Sequence, residues 1–119
     1  MIQLLVSYVT TVGYWKRPDF GMWEEECVLH ASSIGAVVKG LETIRDAGLA
    51  TVPESLIRDG HATLAMLLPN ESPGRDVDMA QLSLIWPYAI VSPETRDIIL
   101  WRTYGKLVQK HGLNRYWGD

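Results

Sequence analysis

Ala31, Ile34, Val37, Val38, Leu41 and Ile44 fall three and four residues apart, and the run ends at Gly48. That spacing gathers all six side chains on one side of an α-helix. A strand could not do so, because its side chains change face at every residue. The pattern predicts a helix from about Val28 to Ala47, with Gly48 where a terminating glycine belongs. A helix with so wide an apolar face must be covered by others, which points to helix-on-helix packing. Gly35 and Gly40 lie inside it. Each costs roughly 1 kcal/mol against Ala, and glycines in such places often admit another backbone.

The flanking segments repeat the theme. Ile2, Leu5, Val6 and Val9 recur at helical spacing and predict a short first helix that Gly13 ends. Val6, Val9, Thr10, Thr11 and Val12 are β-branched, which keeps a strand open as the alternative. Residues 13–27 read as an ordered loop punctuated by Gly13, Pro18 and Gly21. Pro53 and Glu54 open a further helix through Leu56, Ile57, Leu64 and Leu67, which stops before Pro69 and can break at Asp59-Gly60-His61. Pro69 to Asp78 is the clearest loop. Asp78 can cap a short helix from Met79 to about Trp86, which Pro87 ends. Ser92-Pro93-Glu94 starts a last helix that runs to His111 before Gly112, with Ile98, Trp101, Leu107 and Val108 on its inner face. The sum is an all-α segment of about five helices spanning 1–119. Several of its apolar stripes are too broad for a small closed bundle, and patches of that size mark partner surfaces.

Composition narrows the function classes. Hydrophobic residues make up 47% and charged residues 21%, which excludes a disordered chain. The formal net charge is −3 and the nearest basic patch is only Lys16-Arg17, so no nucleic-acid partner is expected. The apolar start MIQLLVSYVTTVGYW has no basic leader and is too short to span a bilayer, so no membrane partner is expected either. The single cysteine, Cys27, excludes an internal disulfide, fits a cytoplasmic location, and is expected to be buried and inert. No second histidine follows His30 at helical spacing, so His30 reads as a capping or core-edge residue; no metal and no organic cofactor is expected.

Candidate chemistry concentrates in Trp23-Glu24-Glu25-Glu26. One reading is an acidic helix start, where carboxylates interact favourably with the helix dipole by about 0.3–1 kcal/mol each. The other is a catalytic carboxyl. An acid beside a large aromatic is partly desolvated, and adjacent acids repel, so its pKa rises toward that of a general acid. The terminal GLNRYWGD likewise has two readings. It is a frayed tail, or a corner where Arg115 donates hydrogen bonds and Tyr116 and Trp117 stack on sugar rings.

PDFGMWEEECVLHASSIGAVVKGLETI, followed by ATLAMLLPNESPGRDVDMAQLSLIWPYAIV and the final GLNRYWGD, resembles glycoside hydrolase family 15. That family holds glucoamylases, bacterial and archaeal glucan hydrolases, and the related domain of phosphorylase kinase regulatory alpha and beta subunits. The resemblance covers most of the chain, and Asp-Phe-Gly-x-Trp-Glu before His-Ala-Ser-Ser-Ile-Gly is its specific part.

The resemblance implies a partial (α/α)6 barrel, a fragment of a six-hairpin toroid. It implies hydrolysis of an α-glucan or maltooligosaccharide with inversion, Glu24 being the general acid. Glu25 would hold the sugar, Trp23 would line the same subsite, and Arg115 would contact substrate. The family's catalytic base lies beyond the Arg-Tyr segment, so this chain would carry the acid without the base and be inactive alone. It would need missing barrel segments, or would self-associate through uncovered faces. The alternative implied by the same resemblance is a non-catalytic helical interaction module, like that of the phosphorylase kinase subunits.

Overall fold

A computed structural model describes residues 1–119. Five helices make up most of it: α1 (Ile2–Val12), α2 (Ala31–Asp46), α3 (Glu54–Leu67), α4 (Leu82–Ile85) and α5 (Pro93–Leu107). Short 3-10 turns at Tyr14–Lys16 and Met79–Gln81 precede α2 and α4, and strands β1 (Val108–Gln109) and β2 (Gly112–Leu113) form a tiny antiparallel hairpin. The fold is therefore mostly helical, and it is elongated, 47 × 28 × 24 Å.

Helix α1 forms despite its β-branched run. Ser7, Thr10 and Thr11 turn their hydroxyls onto the carbonyls of Gln3, Val6 and Ser7, one turn back. The hydroxyls are thereby satisfied within the helix. Gly13 then closes α1 in the left-handed region, its N–H donating to Thr10 and Val9. Gln3 fastens α1 to the α2–α3 connection through both the N–H and the carbonyl of Thr51.

The core lies mainly between α2 and α3, where Ile34, Val38 and Leu41 meet Leu56, Ile57 and Leu64. Helix α3 runs unbroken through Asp59-Gly60-His61. Gly60 is where the Tyr14 ring lies against α3, and the Tyr14 hydroxyl donates to the Leu56 carbonyl at 2.8 Å. The weak point of the sequence is thus a packing contact.

Four expectations are corrected. Helix α2 begins at Ala31, because Val28 pairs with Asp19 in a β-bridge and His30 is extended. Helix α5 ends at Leu107, because the chain turns back at Lys110-His111 into the hairpin. Its buried line is Ile99, Thr103 and Leu107, whereas Ile98, Trp101 and Val108 are exposed. Of the four residues expected on the inner face only Leu107 lies there, since apolar residues occupy both sides of this helix. Cys27 is also exposed, on the loop before α2.

No helix is long and apolar enough to cross a membrane. Only 27 of the 119 residues are fully buried, which leaves large apolar side chains of α1 and α5 facing outward.

Two glycines give a sharp contrast in stability. A Cβ at Gly60 would sit 2.0 Å from the Tyr14 hydroxyl, whereas at Gly40 it would meet nothing within 4 Å. Gly60→Ala is expected to destabilise by about 1–3 kcal/mol, and Gly40→Ala to stabilise by up to about 1 kcal/mol, in urea denaturation.

Candidate functional site

The loop between Asp19 and His30 carries the acidic triplet, and it is anchored at its base. Asp19 and Val28 exchange backbone hydrogen bonds at 3.0 Å. The Asp19 carboxylate accepts from the Gly21 N–H and the Ser33 hydroxyl. His30 packs its ring against Gly21 and places Nε2 3.1 Å from the Glu26 carbonyl. A carbonyl only accepts, so Nε2 carries a proton.

Below the loop lies Glu71, 1% exposed. Its carboxylate accepts from the Ser32 hydroxyl and the Ser32 N–H, and its backbone carbonyl accepts from the Ala31 N–H at 2.7 Å. These are orphan donors at the start of α2, so a buried acid from the Pro69–Asp78 loop caps that helix. The His30 Nδ1 lies 3.6 Å from the same carboxylate. Burial pushes the Glu71 pKa up, and the Glu71 carboxylate pushes the His30 pKa up.

Above it, the site residues converge. The Trp23 indole N–H donates to Asp78 at 2.8 Å. Asp78 is 1% exposed and also caps the turn before α4 by accepting from the Ala80 N–H. Arg75 bridges Asp78 at 3.2 Å and Glu25 at 3.1 Å, while its guanidinium lies over the Tyr116 ring at 3.9 Å. Glu25 in turn accepts from the Tyr116 hydroxyl at 2.9 Å and lies 3.4 Å from Arg115. Arg115 is held by Asp119 and sits 5.7 Å from the centre of the Trp23 ring. Charges therefore alternate along one chain of contacts, Asp119–Arg115–Glu25–Arg75–Asp78.

Of the residues singled out in sequence, Trp23, Glu25 and Arg115 come together in this cluster. Glu25 is the most committed of them. The Tyr116 hydroxyl, with Arg75 and Arg115 behind it, holds its pKa below the ordinary carboxylate value. Two of its roughly four acceptor positions are taken by hydrogen bonds, and Arg115 lies close enough to pair with its charge. Glu24, exposed like Glu25 and Glu26, differs in having a left-handed backbone, φ 56. Non-glycine residues rarely adopt that region, and here it sets Glu24 apart from the ion pairs that engage its neighbour.

Sequence reading passed over Glu71 and Arg75 and saw Asp78 only as a cap. The signal available was four charges, Glu71, Arg75, Asp76 and Asp78, in a loop between two apolar helices; charges in such a place are buried only when paired. No three His, Cys, Asp or Glu side chains gather in a way that could hold a metal ion. An apolar groove of about 260 Å3, lined by Leu5, Val9, Val37 and Ile44 among others, shares no residue with the cluster.

Two measurements probe this geometry. Both raised pKa values mean that the folded chain holds protons more tightly than the unfolded one. Their stabilisation is full at low pH and fades as pH rises from 4.5 for Glu71, and past 6.5 for His30. Stability followed by denaturation is expected to fall across that window, and the upper part of the fall to vanish in His30→Gln. Glu24→Gly is expected to raise stability by up to about 1 kcal/mol, because glycine accepts the left-handed backbone without strain.

No protein-family model matches this chain, and no curated protein matches it, so the functional reading of the site rests on its own residues.

Proposed function

We propose that this chain is the acid-bearing segment of a glucoamylase-like inverting α-glucan hydrolase, one arc of an (α/α)6 toroid. The observation that carries the reading is the meeting of two segments far apart in the chain. Glu25 is bonded to Tyr116, 91 positions away, and Arg115 faces Trp23 across the same cluster.

The chemistry follows from what each side chain has left over. The Trp23 ring, fixed edge-on by Asp78, offers an apolar face to a sugar ring. Arg115 retains guanidinium N–H groups beyond those engaged by Asp119 and Glu25, which suit glucose hydroxyls. Glu25 keeps the platform together and offers a remaining acceptor position to a sugar hydroxyl. Glu24 is the proton donor to the glycosidic oxygen. Inversion also requires a second carboxylate about 6.5–9.5 Å away to activate water. The reading assigns that role to none of the cluster residues, so the chain binds glucan without turning it over. The exposed Cys27 thiol fits a reducing, cytoplasmic setting.

A second reading, a non-catalytic helical interaction module, is favoured by the outward aromatics of α5, Trp101 and Tyr104. Ligand titration separates the two. Adding maltoheptaose while following indole N–H signals by NMR is expected to shift the Trp23 resonance saturably, with weak, roughly millimolar affinity. Trp23→Ala and Arg115→Ala are expected to abolish the response and Glu24→Gln to preserve it, with no glucose released. A Trp23 signal indifferent to the oligosaccharide would leave only the interaction module, and glucose release that survives Glu24→Gln would remove Glu24 as the acid.

A further inference from the structure

Helix α5 buries Ile99, Thr103 and Leu107 and turns its opposite side to solvent. On that side Trp101 is 78% exposed and Tyr104 is 72% exposed. At about 100° per residue, Asp97, Trp101 and Tyr104 point within roughly 60° of one another, so the two rings form one outward stripe. Ile98, Leu100 and Val108 flank it, each more than two-fifths exposed. Gly105, beside Tyr104, has open space where a Cβ would stand, so the helix backbone is approachable there.

We propose that this face of α5 docks a second copy of the chain, the two α5 helices lying antiparallel about a twofold axis near Trp101. Three features select a second copy. Trp101 adjoins Leu100, the middle residue of Pro93–Leu107, so antiparallel pairing sets the two Trp101-Tyr104 stripes opposite each other. The helix begins with exposed, unpaired Glu94, Asp97 being paired with Arg96 at 2.8 Å, and is followed by exposed Lys110 in the hairpin turn. Antiparallel pairing brings the acidic end of each copy to the basic end of the other, and also opposes the helix dipoles. Such a contact uses the same patch twice and therefore closes at two copies.

The area is sufficient for a weak dimer. The two rings present roughly 300 Å2 per copy. With the flanking aliphatics the stripe offers on the order of 500 Å2, or about 1,000 Å2 for the pair, which is the lower bound for a specific interface. The inference rests on the interaction-module reading, which the same two aromatics support, and not on glucan binding.

Sedimentation equilibrium across about 1–200 μM tests it, with a reversible monomer–dimer equilibrium in the micromolar range expected. Trp101→Glu is expected to weaken association at least tenfold, with an unchanged circular dichroism spectrum because the side chain is exposed. Glu94→Lys is expected to weaken it and Lys110→Glu in the same chain to restore it. A monomer at every concentration, growth beyond two copies, or a dimer indifferent to Trp101→Glu would overturn the proposal. Failure of the charge reversal to restore association would overturn the antiparallel arrangement.

Discussion

A carboxyl group with 1% exposure needs hydrogen-bond partners, and Glu71 has them in the start of α2. Leaving that helix end uncovered inside the protein would strand the N–H groups of Ala31 and Ser32 without acceptors. Glu71 satisfies both, the first with its backbone carbonyl and the second with its side chain. The Ser32 hydrogen bonds offset part of the burial penalty, and burial still outweighs them in raising the Glu71 pKa. His30 extends the same arrangement upward, with one ring nitrogen near Glu71 and the other on the Glu26 carbonyl. The acid-bearing loop is thus tied to α2 through an imidazole that packs against Gly21.

Asp78 repeats the device seven residues further along the same loop. It is equally buried, and it caps the turn leading to α4 while receiving the Trp23 indole N–H and Arg75. The Pro69–Asp78 loop therefore grips the neighbouring loop twice, at its root through Glu71 and His30 and at its tip through Asp78 and Trp23. Arg75, between the two carboxylates, extends the grip to Glu25 and stacks on Tyr116. What this scaffold leaves exposed and apart from the ion pairs are the carboxylates of Glu24 and Glu26. A left-handed backbone and lack of partners separate Glu24 from Glu25, whose carboxylate is held by Tyr116 and Arg75.

Helical periodicity located α2, α3 and α5, whereas α1 kept a strand as its alternative and α4 was placed by the Asp78 cap and Pro87. Starts and stops were legible where capping chemistry is local, as at Gly13, Asp78 and Ser92. They failed where a partner distant in sequence intervenes: Val28 reads as helical until Asp19 takes its backbone into a bridge. The phase of α5 failed because apolar residues lie on both of its sides, so spacing alone could not tell the buried line from the outward one. In the site, the resemblance directed attention to Trp23, Glu25 and Arg115, whose meeting depends on tertiary contacts that no spacing rule encodes. The supporting residues, Glu71 and Arg75, were illegible for the same reason. Their burial and pairing arise only when two loops from different parts of the chain are laid together.

The central claim is that one loop, through two buried carboxylates, fixes the loop that bears Trp23, Glu24 and Glu25. Hydrogen exchange at the Trp23 indole N–H and the Val28 amide tests it most directly. The account predicts that both are protected in the intact chain. In Asp78→Ala the indole loses its protection, while amides in the middle of α3 keep theirs. Exchange of the Trp23 indole at the free-solvent rate in the unaltered protein, or protection that persists without Asp78, would contradict it.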